Sequence, residues 1–308
     1  MTLQQFEYII AVDRLKSFTK AAEYCRVTQP TLSAMIQKLE EELDSRIFDR
    51  TQQPVRPTPV GTLIIKQAHE VLVQANHIKN IIAEEKNSFT GVFRLGILPT
   101  IAPYLLPRFV PQLMKKYPEL DLRMSEMKTS EIKQALLTGV IDAGILANLD
   151  GFEEYRSTGL FYEQFYAYVS RNSELAKNNI VRTADLANEQ LWLLDEGHCF
   201  RDQMLRFCQF KSAQASQLAY NLGSLETFMR MVESGKGVTF IPELAVMQLS
   251  DNQKELAREF AIPKPTRHII MLTNKNYIRQ TLIDGIAAEI KSSVPREMLS
   301  LRATQIAI

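Results

Sequence analysis

The chain has 308 residues and a formal net charge of +1 at pH 7. This length exceeds one typical core and predicts two or three domains, whereas the near-neutral charge points to no particular class of partner. No apolar run reaches the roughly 18 residues of a membrane span, and no basic and apolar leader opens the chain, so we expect a cytoplasmic protein without a membrane partner. Its three cysteines fit a reducing compartment, where disulfides are more often sensory than structural.

Apolar residues at helical spacing predict three short helices near the N-terminus. The first ends near Leu15, Ser17 can cap the second, and the third runs from Pro30 to about Leu43. The tight turn between the last two is typical of a helix-turn-helix, whose second helix enters the major groove by its N-terminal end. The pattern alone does not separate this motif from an ordinary three-helix bundle.

Polar side chains at the start of the third helix are suited to contact DNA. Glutamine can bind adenine through two hydrogen bonds, whereas serine and threonine discriminate less or bind phosphate. Residues 47–58 predict a wing whose two arginines are free to contact phosphates. The candidate DNA-binding residues are Thr28, Gln29, Pro30, Thr31, Ser33, Arg50 and Arg56.

A long amphipathic helix follows the wing. Thr58 and Pro59 are a capping residue and a first-turn proline, and the helical pattern then continues to about Lys86. Such a helix is about 40 Å long at 1.5 Å per residue. Its broad apolar face needs a partner, either within its own domain or from a second chain.

Strand-like and helix-like segments alternate beyond a linker at residues 87–91. This alternation predicts an α/β domain with a parallel sheet, and residues 268–272 are expected to return as a strand to the first half of that domain. Ligands of such sheets bind beyond the carboxyl ends of the strands. Thr100 and Thr129 follow the first two strands, where their hydroxyls can hold a small polar ligand or cap the next helices.

One short segment combines groups that suit a reactive thiol. A helix N-terminus and cationic neighbours such as His198 and Arg201 lower the pKa of a thiol and favour the reactive thiolate. A sulfenic acid on Cys199 could then condense with Cys208; the alternative is that both are buried apolar cysteines. The segment reads Gly197-His198-Cys199-Phe200-Arg201-Asp202, with Cys208 downstream.

The spacing of the two cysteines restricts that reaction. Nine residues of helix rise roughly 13.5 Å, whereas a disulfide needs Cα atoms within about 7 Å. The thiols cannot bond while the helix stands, so our hypothesis is that oxidation melts and refolds the segment.

The cysteine segment resembles that of the peroxide-sensing LysR-type transcriptional regulators. Phe18-Thr19-Lys20-Ala21-Ala22 and Val27-Thr28-Gln29-Pro30-Thr31-Leu32-Ser33 resemble their DNA-binding head, and the similarity extends to about residue 290. It implies a winged helix-turn-helix, a long linker helix and an α/β regulatory domain of two subdomains hinged like a periplasmic binding protein. The implied boundaries are 1–58 for the DNA-binding domain, 59–90 for the linker, and 91–308 for the regulatory domain, with subdomain I at about 91–163 and 268–295 and subdomain II at about 164–267.

The resemblance also implies roles for individual residues. Cys199 would react with peroxide and Cys208 would resolve the product to a disulfide. From its place next to the predicted return strand, and not from the resemblance, Arg267 could support the site by neutralising a carboxylate such as Asp202; Gly197 is a second possible supporting residue. The implied peroxide-binding residues are Thr100, Thr129, His198, Arg201 and Asp202.

The implied protein is a regulator of oxidative-stress defence genes rather than an enzyme. Its expected partners are double-stranded DNA, hydrogen peroxide, further copies of itself in a dimer of dimers, RNA polymerase and a cellular thiol reductant, with no cofactor and no metal. The alternatives are a LysR-type regulator that binds a metabolite in its cleft, and a thiol peroxidase. A zinc site at His198, Cys199 and Cys208 is disfavoured because it supplies three of the usual four ligands. The residues after Pro295 carry no prediction.

Overall fold

The chain divides into an N-terminal unit and a second, larger unit. The computed structural model describes residues 1–85, 89–187, 189–194, 199–208 and 224–308. One unit comprises Met1–Lys86 with Leu137–Val140, and the other comprises Asn87–Leu136 with Ile141–Ile308. Within the described ranges, every helix is too short or too polar to cross a membrane.

The N-terminal unit contains a winged helix-turn-helix and a long helix. Hydroxyls at Thr2, Ser17 and Thr28 accept backbone N–H groups in the first turns of its three short helices, which is why the local sequence predicts these starts well. Thr58 likewise accepts the N–H of Gly61 at 2.9 Å, where the long helix begins. The elements are α1 (Leu3–Leu15), α2 (Phe18–Tyr24), α3 (Gln29–Glu42), β1 (Phe48–Asp49), β2 (Arg56–Pro57) and α4 (Pro59–Glu85).

The second unit is a mixed α/β structure. Its core is one continuous cluster of buried side chains that includes both Cys199 and Cys208. The elements are β3 (Gly91–Ile97), α5 (Ala102–Lys116), β4 (Leu120–Glu126), α6 (Thr129–Leu137), β5 (Ala143–Ala147), β6 (Tyr155–Val169), β7 (Ile180–Val181), α7 (Cys199–Phe207), α8 (Leu225–Glu233), β8 (Val238–Pro242), α9 (Glu243–Val246), α10 (Asp251–Lys254), β9 (Ala257–Phe260), β10 (Lys264–Asn274), α11 (Gln280–Ser293) and β11 (Gln305–Ala307).

The sheet of this unit is mixed, so the prediction of a parallel sheet is wrong. Its strand order is β4-β3-β5-β10-β6-β9-β7, with β11 beside β10 and β8 beside β6. Its first three strands are mutually parallel, and β11 with β10 and β7 with β9 are further parallel pairs. The chain then runs along β6 and β10, of 15 and 11 residues, which are antiparallel to each other. The alternation of strand-like and helix-like segments along a sequence does not encode whether paired strands run parallel or antiparallel. The predicted return strand is confirmed, because β10 pairs with β5 over Ile269–Thr273.

Candidate functional site

Cys199 is the first residue of α7, and only 6% of its surface is exposed. Burial raises the pKa of its thiol and outweighs the lowering effects of the Thr129 hydroxyl, the Arg267 guanidinium and the N–H of Phe200, while Asp202 raises the pKa further. The helix start is therefore as predicted, but the expected low pKa is wrong for the described surroundings. Desolvation of a thiolate is costly, and no local sequence pattern reports how deeply a thiol is buried.

Thr129 presents its hydroxyl to this thiol. The start of α6 is capped from elsewhere, because the carboxylate of Glu131 accepts the N–H of Lys128 at 2.7 Å. The Thr129 Oγ1 atom is buried and has no hydrogen-bond partner of ordinary geometry, yet it is near enough to lower the pKa of Cys199. The helix-capping alternative for Thr129 is therefore wrong, and its hydroxyl is available to the thiol and to a small ligand beside it.

A buried ion pair between Arg267 and Glu163 lies at the centre of the site. The two residues are direct partners across β10 and β6, with 2.7 Å between Nη2 and Oε2, and the guanidinium is fully buried. Arg267 also donates from Nη1 to Oγ1 of Thr100 and from Nη2 to its carbonyl, both at 3.0 Å. The rings of Phe165 and Phe200 lie 5.6 and 5.3 Å from the guanidinium carbon. Arg267 thus fixes Thr100 and brings a positive charge to Cys199.

This pairing corrects one prediction and adds a residue that the sequence reading missed. Asp202 is exposed on α7, and Arg267 neutralises Glu163 instead. The available signal for Glu163 was a carboxylate within the mainly apolar and aromatic stretch from Leu160 to Val169, and Arg267 stands two residues before the apolar run from Ile269 to Leu272. Charges in such positions need a buried partner.

Cys208 lies at the other end of α7. Its N–H donates to the carbonyl of Met204 at 2.9 Å, which continues the helical pattern. Burial alone raises the pKa of its thiol to about 12. Both cysteines are free thiols, and the intact helix separates them by roughly 13.5 Å along its axis. They can form neither a disulfide nor a shared zinc site in this conformation, and the described residues contain no cluster of three metal-ligating side chains.

The remaining candidates of the redox site are less defined. Arg201 is half-buried on α7. Gly197 and His198 lie outside the described residues, so their predicted roles stay predictions. The structure places Thr129 and the charge of Arg267 near Cys199, and Arg267 in turn binds Thr100, whereas Asp202 acts on Cys199 only through its charge.

The candidate DNA-binding residues at the start of α3 lie on one surface. Thr28, Gln29, Pro30 and Thr31 are exposed, and Ser33 is half-buried. The hydroxyls of Thr28 and Thr31 are 2.8 Å apart. These groups are accessible at the end of the helix that the motif would insert into a groove.

The two candidate arginines of the wing differ. Arg56 is exposed on β2, whereas Arg50 donates to Glu40 at 3.0 Å and to Ser33 at 3.3 Å and is not free as predicted. Glu40 is buried and also accepts the N–H of Ile47 at 2.8 Å. Its carboxylate needs a cation close by, and Arg50 supplies it.

Comparison with known proteins gives the family. The LysR substrate binding domain matches residues 86–293, and the lysR-family bacterial regulatory helix-turn-helix protein domain matches residues 3–62. A hydrogen peroxide-inducible genes activator of Dickeya chrysanthemi is 35% identical over 303 residues, which span 98% of this chain and 99% of that protein.

Two solved structures are similar over most of their length. A full-length OxyR variant from Pseudomonas aeruginosa is 34% identical, with a TM-score of 0.76 over 94% of this chain and 98% of that one. OxyR from Porphyromonas gingivalis is 45% identical, with a TM-score of 0.67 over 71% of this chain and 99% of that one. These likenesses confirm the predicted fold class. The chain belongs to the LysR family of DNA-binding transcriptional regulators, and within that family it is similar to OxyR.

Proposed function

We propose that this chain is a transcriptional activator that senses hydrogen peroxide through Cys199 and controls oxidative-stress defence genes. The observation that carries the proposal is the buried hydroxyl of Thr129, which has no hydrogen-bond partner of ordinary geometry and lies beside the Cys199 thiol, whose pKa it lowers. A second hydroxyl, on Thr100, is held nearby by Arg267. A small neutral molecule with donors and acceptors at both ends suits such a site.

The proposed reaction has two steps. The Cys199 thiolate attacks one oxygen of hydrogen peroxide, the O–O bond breaks, and the departing hydroxide takes a proton, which leaves a sulfenic acid and water. Thr100, Thr129 and Arg201 stabilise the departing hydroxide, and His198 and Asp202 complete the peroxide site. Cys208 then attacks the oxidised sulfur, and a disulfide and a second water form. The different surroundings of the two thiols support this order, because polar groups that favour a thiolate lie beside Cys199, whereas burial alone acts on the pKa of Cys208.

The proposed division of labour follows the predicted boundaries. Residues 1–58 bind double-stranded DNA, residues 59–90 join two chains, and residues 91–308 respond to peroxide. The exposed polar end of α3 and the exposed apolar side chains of α4, such as Leu63 and Ile78, support these roles. The active species is then a cytoplasmic dimer of dimers that contacts RNA polymerase and is reset by a cellular thiol reductant.

The first test is thiol counting before and after a brief, stoichiometric pulse of peroxide. We expect the loss of two thiols per chain and one new bond that peptide mass spectrometry maps between Cys199 and Cys208, with Cys25 unchanged. Survival of all three thiols would contradict peroxide sensing and would direct the search to a metabolite ligand. Catalytic peroxide consumption at low protein concentration would favour a thiol peroxidase.

The second test addresses DNA. Footprinting of the reduced and oxidised forms on the promoter of a peroxide-induced gene should give two different protected patterns. Arg56→Ala should weaken both forms and lower the salt dependence of binding, because one phosphate contact is lost. Identical footprints for the two redox forms would contradict a redox switch.

A further inference from the structure

The C-terminal strand of the described chain extends the sheet next to the strand that carries Arg267. β11 pairs in parallel with the start of β10, with Lys264 opposite Gln305 and Thr266 opposite Ala307. The N–H of Lys264 donates to the carbonyl of Thr304 at 2.8 Å, and the N–H of Ile308 donates to the carbonyl of Thr266 at 3.0 Å. The strand is therefore attached to β10 at both of its ends.

Beyond this attachment, the same segment contacts α7. Gln203 lies in that helix between the two cysteines, is only 3% exposed, and donates from Nε2 to the carbonyl of Ile308 at 2.6 Å. The amide oxygen of Gln203 has no partner of its own, so the bond to Ile308 is what offsets the burial of this side chain. The Ile308 side chain packs against the core cluster that holds Cys199 and Cys208.

A second contact fixes the segment upstream of the strand. Arg302 Nη2 lies 3.1 Å from Oε1 of Glu243, and Oε2 of Glu243 accepts the N–H of Gln164 at 3.2 Å. The side chain of Gln305 accepts the N–H of Arg302 at 2.9 Å. The segment from Arg302 to Ile308 thus bridges β6, β10 and α7.

We propose that Gln203 is a positioning residue through which the C-terminal strand clasps α7 and limits the rate of disulfide formation. This inference rests on the proposed function. The two Cα atoms must approach from the length of a nine-residue helix to within about 7 Å, so α7 has to unwind. Gln203 lies inside the part that unwinds, and its bond to Ile308 must break before Cys208 reaches Cys199.

We call the hydrogen bond between Gln203 and Ile308 the clasp. It acts on only one of the two reaction steps. Sulfenic acid formation consumes peroxide at the N-terminal end of α7 and needs no unwinding. In the second step the Cys208 thiol loses its proton, its sulfur attacks the Cys199 sulfur, the S–O bond breaks, and the hydroxide that leaves combines with the proton to form water. No oxidant beyond the first peroxide is needed, and only this second step waits for α7 to open.

Gln203→Met tests the proposal, because it removes the donor while keeping the length and helix propensity of the side chain. Arg206→Met is the matched control, since Arg206 is exposed on the same helix. Sulfenic acid formation is measured in a Cys208→Ser background by trapping with a cyclic 1,3-diketone, and disulfide formation by rapid acid quenching and peptide mapping. We expect Gln203→Met to accelerate disulfide formation about fivefold, the factor for one lost hydrogen bond, with trapping unchanged and the control unchanged in both.

Wild-type disulfide kinetics in Gln203→Met would overturn the clasp while leaving peroxide sensing intact. Failure to trap any sulfenic acid would overturn the proposed function, and the clasp with it. Hydrogen exchange of the wild-type chain provides a measurement that needs no variant. The side-chain N–H groups of Gln203, which donate to Ile308 in the reduced chain, should lose protection when the disulfide forms, and unchanged protection there would also overturn the clasp.

Discussion

The two ends of α7 carry thiols of similar burial and different chemistry. Cys199 and Cys208 are 6% and 7% exposed, and burial raises the pKa of both thiols. At Cys199 a hydroxyl, a guanidinium and a backbone N–H each favour the thiolate, whereas burial is the sole influence on the pKa of Cys208. Neighbouring groups, and not exposure, therefore distinguish the two thiols, and under the proposed function they select Cys199 as the nucleophile.

The largest expected effect comes from exchanging each thiol for a hydroxyl. Cys199→Ser should abolish peroxide-dependent thiol loss, because no group among the described residues favours the thiolate of Cys208. In Cys208→Ser the Cys199 thiol should still be lost, and the oxidation should stop at the sulfenic acid. Thiol titration after a peroxide pulse measures both. Loss of the Cys208 thiol at the wild-type rate in Cys199→Ser would show that Cys208 reacts with peroxide by itself, and would contradict the proposed difference between the two thiols.

Removal of the Arg267 guanidinium should have the next largest effect. Arg267→Met leaves the buried Glu163 carboxylate without its cationic partner and should lower the free energy of unfolding by about 3–5 kcal/mol. It should also raise the pKa of Cys199, because a lowering charge is lost. Urea unfolding measures the first effect, and the pH dependence of Cys199 alkylation measures the second. The double variant with Glu163→Gln should recover part of the stability; no recovery would contradict the ion pair as the cause.

Thr129→Val should separate reactivity from stability. The hydroxyl has no hydrogen-bond partner of ordinary geometry, so its loss should change the free energy of unfolding by less than about 1 kcal/mol. Sulfenic acid formation should slow by about tenfold, the effect of one lost hydrogen bond to a charged group. Thr129→Ser keeps the hydroxyl and is the matched control. A wild-type rate in Thr129→Val would remove Thr129 from the site.

The last expected effect is absent at neutral pH and appears only in alkaline solution: a pH dependence of stability from Cys208. Its thiol has a pKa of about 12 in the folded chain and about 8.5 when unfolded. The raised folded pKa means that its contribution to stability is complete below about pH 8.5 and is lost as the pH rises towards 12. Cys208→Ala should flatten the fall of the unfolding free energy over this range more than Cys25→Ala, because Cys25 is only half-buried. Equal slopes of unfolding free energy against pH in the two variants would indicate that the Cys208 thiol is hydrated in the folded chain.

Local features of the fold could be predicted from the sequence, and contacts across strands could not. Ser17 and Thr28 cap helices within one turn of their own position, so spacing and residue type suffice there. Glu163 and Arg267 meet only because β6 and β10 pair in one register, which no local pattern encodes. The direction of the Cys199 pKa shift was missed for the same reason, since burial depends on the whole core.

Resemblance and geometry contributed differently to the site. The resemblance supplied Thr100 and Thr129, which spacing alone left ambiguous between ligand binding and capping, and the structure connects them to Cys199 through Arg267 and a free hydroxyl. The bond between Gln203 and the C-terminal strand had no counterpart in the sequence reading. Residues more than a hundred positions apart meet there, and only tertiary packing brings them together.

The depth of Cys199 has a consequence for selectivity among oxidants. A molecule that reaches this sulfur must leave bulk water and fit a densely packed interior. An anionic oxidant gives up far more hydration free energy in doing so than a neutral one, and a bulky hydroperoxide has to displace core side chains. Burial of the thiol thus works as a filter for charge and size, and the polar groups around it need only recognise the few small, uncharged molecules that enter.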